Sequence, residues 1–279
     1  MAKKILIVGG VAGGATAVAR MRRLDENAEI ILFERGPYVS FANCGLPYYI
    51  GGVITQRQQL FVSDKQKIEA RFNVDVRLNN EVLSINKQAK TVEVKKLLTG
   101  ETYTENYDTL LLATGSSPLI PKPEWQKPNN VFTLWNIEDT DLLYSFIQNN
   151  NPQNAIVVGG GFIGIEVAEN LIFKGINVTL LEMAPQVMAP FDPDMSILLE
   201  NELRSKGVDL RLNTVLEDIS EDGRTVSLQD GTTIETDLIV LSIGVRPNNE
   251  LAKEADLELN QRGGIVVDKF LRTSDPDIY

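Results

Sequence analysis

Three groups of residues in this 279-residue chain have the types and spacing to do chemistry: one thiol and two glycine clusters. Cys44 is the only cysteine, within Ser40-Phe41-Ala42-Asn43-Cys44-Gly45-Leu46-Pro47-Tyr48-Tyr49. Eight of the 21 glycines fall in two six-residue windows, Gly9 to Gly14 and Gly159 to Gly164. A glutamate follows the first glycine of each window, Glu34 after 25 residues and Glu182 after 23. Glycines between a strand and a helix let backbone approach a pyrophosphate, and the helix start offers it N–H groups and a positive dipole end. An acid at about this distance accepts hydrogen bonds from a ribose. The chain has no histidine, which excludes Ser-His-Asp and Cys-His catalysis within it, so a reactive thiol must be activated otherwise. One cysteine also excludes an internal disulfide framework, a CxxC pair and a thiolate zinc site.

The elements that must position these groups are legible around them. Each window follows a β-branched run, Ile5-Leu6-Ile7-Val8 or Ala155-Ile156-Val157-Val158, as suits a buried parallel strand. Each precedes a helix-like stretch, Ala15 to Leu24 or Phe162 to Phe173, and then a second apolar run ending in the glutamate. Each half later holds an apolar strand closed by glycine, Leu110 to Gly115 and Leu238 to Gly244. One βαβ-type unit therefore occurs twice, with starts 150 residues apart. The second copy is strict: Gly159-x-Gly161-x-x-Gly164, then Glu182. Glu182 would repel a 2′-phosphate, and no Lys or Arg lies between Lys174 and Arg204 to receive one, so this copy reads as an NADH site rather than an NADPH site. The first copy carries Val11 where the middle glycine is expected.

Elsewhere the patterns are coarser. Ser63-Asp64 can cap a short helix through Arg71, and Ile137 to Gln148 reads as an amphipathic helix. Alternation over Thr91 to Lys96 and turns at Asp222-Gly223 and Asp230-Gly231 predict small antiparallel meanders. Four prolines between Pro118 and Pro128 mark an inter-domain crossing. The net charge is −11, which argues against nonspecific nucleic-acid binding and means that an anionic ligand needs a local basic cluster. No apolar run approaches the ~18 residues of a membrane span, and the first residues are too short an apolar stretch for a secretory signal. A cytoplasmic α/β protein is expected.

A lone cysteine is more often a small buried hydrophobe than a nucleophile. Cys44, however, follows the first ribose acid by ten residues, where a segment leaving the carboxyl edge of a doubly wound sheet passes the ligand crevice. A helix starting there would favour the thiolate. Two nucleotide sites and one thiol suggest an electron relay, in which FAD at the first site bridges nicotinamide and sulfur.

The residues resemble the FAD-dependent pyridine nucleotide–disulfide oxidoreductases, and within them the coenzyme A–disulfide reductase branch. The resemblance runs from Met1 to Tyr279 and is carried by the segment from Gly9 to Ala17, by Ser40 to Tyr48, by Ala113-Thr114-Gly115, and by Val157 to Glu166. It implies an α/β fold of two Rossmann-like dinucleotide-binding domains, the FAD/NAD(P)-binding fold. Residues 1–120 would begin an FAD-binding domain, 121–245 would form an inserted NAD(H)-binding domain, and 246–279 would return to the first. It further implies that Gly9, Ala12, Gly13, Glu34, Arg35, Val82, Ala113, Thr114 and Gly115 contact FAD. Gly159, Gly161, Phe162, Ile163, Gly164, Glu166, Glu182 and Gly244 would line the NADH site. Cys44 would face the isoalloxazine as the redox-active thiol, and Thr16, Arg20, Arg23, Ser40, Asn43 and Arg71 would contact coenzyme A. Arg20 and Arg23 are one helical turn apart and with Arg71 could form the basic cluster that coenzyme A phosphates need; the plainer reading of these arginines is a solvated helix face.

Peroxidase and oxidase members carry a histidine in the first glycine loop, where this chain has Val11-Ala12; imidazole-assisted peroxide chemistry is disfavoured. The implied reaction is reduction of coenzyme A disulfide by NADH, or less well by NADPH, through FAD and Cys44. Alternatives are a coenzyme A persulfide or polysulfide reductase, an NADH oxidase, and a nucleotide-binding fragment without turnover. In the family a further strand ending Gly-Asp and a C-terminal dimerisation domain follow the point where this sequence stops. The resemblance therefore predicts a homodimer for the full-length protein, and weak FAD binding and poor turnover for these 279 residues alone.

Overall fold

The structure is a computed structural model and describes residues 2–279. The chain opens with β1 (Lys4–Val8), α1 (Ala12–Leu24), β2 (Glu29–Glu34), α2 (Leu46–Gly51), α3 (Lys65–Phe72) and β3 (Asp75–Leu78). A meander of β4 (Asn80–Asn86), β5 (Thr91–Lys96) and β6 (Thr102–Asn106) leads to β7 (Thr109–Leu112) and the short β8 (Ser116–Pro118). There follow β9 (Val131–Phe132), α4 (Ile137–Asn150), β10 (Asn154–Val158), α5 (Phe162–Phe173), β11 (Asn177–Leu181), α6 (Pro193–Ser205) and β12 (Asp209–Arg211). A second meander of β13 (Leu216–Ile219), β14 (Thr225–Leu228) and β15 (Thr233–Glu235) precedes β16 (Leu238–Leu241), β17 (Val245–Pro247) and α7 (Glu250–Glu254). These elements form two compact units. Unit 1 holds residues 1–41, 61–117 and 246–279; unit 2 holds 42–60 and 118–245.

Unit 1 is built on a parallel sheet of order β3-β2-β1-β7. Alternation along its central strand sends side chains to two different layers. Ile5 and Ile7 join Ile30, Leu32 and Val76 under the helices, against Val18 of α1 and Ile68 of α3. Leu6 and Val8 join Ile31, Phe33 and Leu110 on the other face, against Val82, Val92 and Val94 of the antiparallel meander. With both faces covered, β1 is apolar at almost every position, as a central parallel strand must be. The chain end adds to this sheet: Ile278 pairs in parallel with Leu110 and is fully buried.

Unit 2 repeats the plan, with order β12-β11-β10-β16-β9 and the meander β13-β14-β15. Ile156, Val158, Ile239 and Leu241 pack on Ile219, Val226 and Leu228 of that meander. The doubly wound α/β architecture expected from the glycine repeat is the one observed. One boundary differs: the first helix begins at Ala12, three residues before the expected Ala15. Gly13 and Gly14 have poor helix propensity and conceal that turn in the sequence, yet Gly14 lies inside the helix because packing requires it.

Candidate functional site

The two glycine loops share one backbone design. Gly9 and Gly159 have φ of 100° and 104°, a region open to glycine and costly for other residues. Both helices start at the same point in their loop, after Val11 and after Gly161. A Cβ on Gly14 would lie 1.8 Å from the Gly9 carbonyl oxygen, and one on Gly164 would lie 1.9 Å from that of Gly159. These glycines let each helix seat directly on its loop. The middle position is different: a Cβ on Gly161 would meet nothing within 4 Å. That is why Val11 can stand at the equivalent place without altering the loop.

Each glutamate is tied to its loop. Glu34 accepts the Gly10 N–H at 2.7 Å and the Gly36 N–H at 2.7 Å, one on each carboxylate oxygen. Glu182 accepts the Gly160 N–H at 2.6 Å and the Ala184 N–H at 2.7 Å in the same way. A carboxylate oxygen has a second lone pair, so both oxygens retain acceptor capacity for a ribose hydroxyl. Further along, Ser40 donates its N–H to the Gly10 carbonyl, and Met188 donates its N–H to that of Gly160. Both residues have positive φ, 52° and 50°. The duplication thus extends past the glutamates to residues whose side chains, serine and methionine, gave no sign of it.

Neither α1 nor α5 has a side-chain N-cap or an acidic residue in its first turn. By contrast α3 is capped by Asp64 and α4 by Asn136. The first N–H groups of α1 and α5 therefore lack an internal partner, and the space at Gly161 before α5 is open. This is the cradle that a dinucleotide pyrophosphate fits.

In unit 2 a pocket of about 210 Å³ opens at the carboxyl ends of the parallel strands. It is lined by Gly161, Phe162 and Ile163 at the start of α5, by Ser242, Gly244 and Val245 after β16, and by Thr133, Leu134 and Trp135 after β9. Ligands of doubly wound sheets bind at this edge. Among the nucleotide-site residues expected from the sequence, Gly161, Phe162, Ile163 and Gly244 meet here. Glu166 lies one turn further along α5 and does not line the pocket; burial, with the nearby Glu169, pushes its carboxyl above the usual range. Thr133 and Trp135 are additional lining residues; the family resemblance also covers Asn130 to Asp141, but no glycine or thiol motif marks these two side chains.

In unit 1 Ala113 holds its N–H on the Val8 carbonyl, and its own carbonyl oxygen is the atom nearest a Cβ on Gly9. Thr114 donates its hydroxyl to the Asn248 carbonyl at 2.7 Å and accepts the Asn248 amide at 2.8 Å, while Gly115 is exposed. Val82 is buried on β4 beside a register shift. Arg35, Thr16, Arg20, Arg23 and Arg71 are exposed. Arg22, passed over in the sequence, ties the ends of α1 and α3 together by donating to the Phe72 and Asn73 carbonyls, each at 2.7 Å. The exposed Arg20, Arg23 and Arg71 are carried on the two helices so joined.

Cys44 is exposed. It lies in a 3₁₀ turn, Asn43–Gly45, that runs into α2. Residues 42–60 group with unit 2, while Phe41 and Phe61 pair with each other in unit 1 and close the excursion at its base. Three contacts hold the excursion. Gly51 of α2 packs so closely on α5 that an added Cβ would lie 2.0 Å from Asn170 Oδ1. Tyr49 stacks on Tyr144 of α4 with ring centres 4.7 Å apart. Arg57 forms a bidentate pair with Asp141 of α4, both bonds 2.7 Å. Tyr48 has its phenol pushed up by burial and by Glu166, Glu169 and Cys44. The Asn43 amide reaches the Trp135 carbonyl at 3.4 Å. The segment bearing the thiol is thus fixed against α5, the helix that opens the second cradle. The Arg57–Asp141 pair is partly exposed, so screening limits its worth. Asp141→Asn is expected to raise amide hydrogen exchange over residues 46–52 by about three- to tenfold without global unfolding, read by exchange mass spectrometry.

Residues 3–279 match the family model for pyridine nucleotide-disulphide oxidoreductases. The chain is 37% identical over 276 residues to the coenzyme A disulfide reductase of Staphylococcus epidermidis, covering 99% of this chain and 62% of that protein. The curated relatives are thus considerably longer than this chain. Among solved structures, reduced CoADR-RHD of Bacillus anthracis superposes with a TM-score of 0.97 at 48% identity, over 100% of this chain and 50% of that one. An NAD-dependent persulfide reductase from A. fulgidus superposes with a TM-score of 0.94 at 35% identity, over 99% and 52%.

Proposed function

Because this chain belongs to the pyridine nucleotide-disulphide oxidoreductase family, we propose that it carries the nucleotide-binding and thiol-bearing part of a flavoprotein that reduces coenzyme A disulfide with NADH. The observation that carries this reading is the exposed sole thiol, on a segment that packs through Gly51 on the helix that opens the second dinucleotide cradle. Unit 1 is the FAD unit and unit 2 the NADH unit. Gly9, Ala12, Gly13 and Glu34, with Ala113 to Gly115 beside them, hold FAD through the N–H groups at the start of α1. Gly161, Phe162, Ile163 and Gly244 hold the nicotinamide nucleotide, and Glu182 takes its adenosine ribose. Glu182 presents a carboxylate where a 2′-phosphate would sit, which favours NADH over NADPH. Bound FAD supplies a two-electron relay between nicotinamide and sulfur.

The chain's own contribution to the chemistry is the sulfur of Cys44. As thiolate it attacks one sulfur of coenzyme A disulfide, forms a mixed disulfide and releases one coenzyme A thiolate. Two electrons from NADH then cleave the mixed disulfide, which frees the second coenzyme A and restores Cys44. Overall, one disulfide, one NADH and one proton give two thiols and NAD⁺. No second cysteine exists among these 279 residues to displace the mixed disulfide internally; the second sulfur is the substrate's. Arg20, Arg23 and Arg71 supply positive charge for the coenzyme A phosphates. The full-length protein is expected to be a homodimer.

Two measurements test this. Titration of the purified protein with FAD and then NADH should show flavin uptake followed by bleaching, with NADPH less effective. Mass spectrometry after exposure to coenzyme A disulfide should find one coenzyme A on Cys44; an unmodified Cys44 would sink the proposal. Turnover of coenzyme A persulfide in preference to the disulfide would reassign the acceptor, and oxygen uptake without either would indicate an oxidase.

A further inference from the structure

One acidic side chain behind the unit 2 pocket has a role that the reaction above does not assign. Thr133, Leu134 and Trp135 form one wall of the pocket. They belong to the connection between β9 and α4, which is neither strand nor helix, so side chains must set its shape. Leu134 is buried, and the polar anchoring comes from Asp139 in the first turn of α4. Thr133 donates its hydroxyl to Asp139 Oδ2 at 2.7 Å. The Trp135 backbone N–H acts electrostatically on the same carboxylate and favours its charged form. One carboxylate thus holds Thr133 by a hydrogen bond and is turned toward the far end of the three-residue wall.

Helix formation does not account for it. Asn136 already caps α4, accepting the Asp139 N–H at 2.7 Å, and the exposed Glu138 already answers the helix dipole. Asp139 forms no ion pair with Lys or Arg among the described residues; burial pushes its carboxyl upward, as does Glu138, and only Thr133 and the Trp135 N–H oppose this. A half-buried carboxylate without a cation is destabilising, and these interactions with the wall are what offset that cost.

We infer that Asp139 is a positioning residue for the nicotinamide nucleotide, acting through its hydrogen bond with Thr133 to hold the pocket wall. The inference rests on reading this pocket as the nucleotide site. It is tested with the full-length, FAD-loaded protein and NAD⁺, which binds without reducing the flavin, by titration calorimetry. Asp139→Ala should weaken NAD⁺ about tenfold, and Thr133→Val, which removes only the donor, should weaken it in the same direction. The double variant should be no weaker than Asp139→Ala alone, because the two residues act through one bond. Asp139→Asn, which keeps one acceptor, should fall between Asp139→Ala and wild type. Glu138→Gln, one residue away and equal in charge change, should bind as wild type. In a Trp125→Phe background of these 279 residues by themselves, which leaves Trp135 as their only indole, Asp139→Ala should shift the emission and Glu138→Gln should not. Wild-type affinity in Asp139→Ala, or independent addition of the Thr133 and Asp139 effects, would overturn the inference. A wild-type protein that takes up no NAD⁺ would instead overturn the nucleotide reading, and this inference with it.

Discussion

Replacing Cys44 with serine will abolish coenzyme A disulfide reduction, by at least ~10³-fold, because an alcohol cannot form the mixed disulfide. The same variant will still bleach its flavin on addition of NADH, since the thiol enters only after that step. The two half-reactions are separated by stopped-flow absorbance of the FAD-loaded, full-length protein. Turnover within about tenfold of wild type would remove Cys44 from the reaction and favour direct transfer to an acceptor such as oxygen. Cys44 is the only cysteine of these 279 residues, so no other thiol within them can obscure the result.

The second large effect concerns the glycines under the helix starts. In Gly14→Ala the new methyl would lie 1.8 Å from the Gly9 carbonyl oxygen; in Gly164→Ala it would lie 1.9 Å from the Gly159 carbonyl oxygen and 2.6 Å from Ser242 Oγ. Backbone cannot step aside as a flexible side chain can, and overpacking of this kind costs about 3 kcal/mol. Gly14→Ala should therefore lose FAD, and Gly164→Ala should bind NAD⁺ on the order of 100-fold more weakly while still holding FAD. Flavin content after gel filtration and an NAD⁺ titration distinguish the two lesions. If both variants lost both ligands, the assignment of one nucleotide to each unit would be wrong. Gly161→Ala is the useful contrast: nothing within 4 Å opposes its methyl, so only ligand binding should suffer.

Local patterns in the sequence carried much of this. Strand, glycine window, helix and acid follow one another closely enough for spacing alone to reveal the second cradle. The cap of α3 was equally legible, since Asp64 accepts the Lys67 N–H three residues on. The first cradle departs at Val11, and the open space at the middle position explains why the departure is harmless. What stayed hidden was non-local. Nothing near Arg57 announces Asp141, and nothing near Gly51 announces Asn170, because those pairings depend on how α2 meets α4 and α5. Nothing in the sequence announces that Thr133 donates to Asp139 across the start of α4. The family model matched over residues 3–279 turns the resemblance into membership.

The closed base at Phe41 and Phe61 has a consequence for how such a protein could arise. In unit 2, only four residues separate Met188 from the start of α6; in unit 1, 24 residues separate Ser40 from the start of α3. By loop-closure entropy alone, a sixfold longer connection costs only about 1.5 kcal/mol. The thiol rides on that extra length. A duplicated binding module could thus acquire redox chemistry through one surface insertion whose ends already meet, leaving the parental sheet untouched. The same economy makes residues 42–60 a natural cassette for grafting a different reactive group.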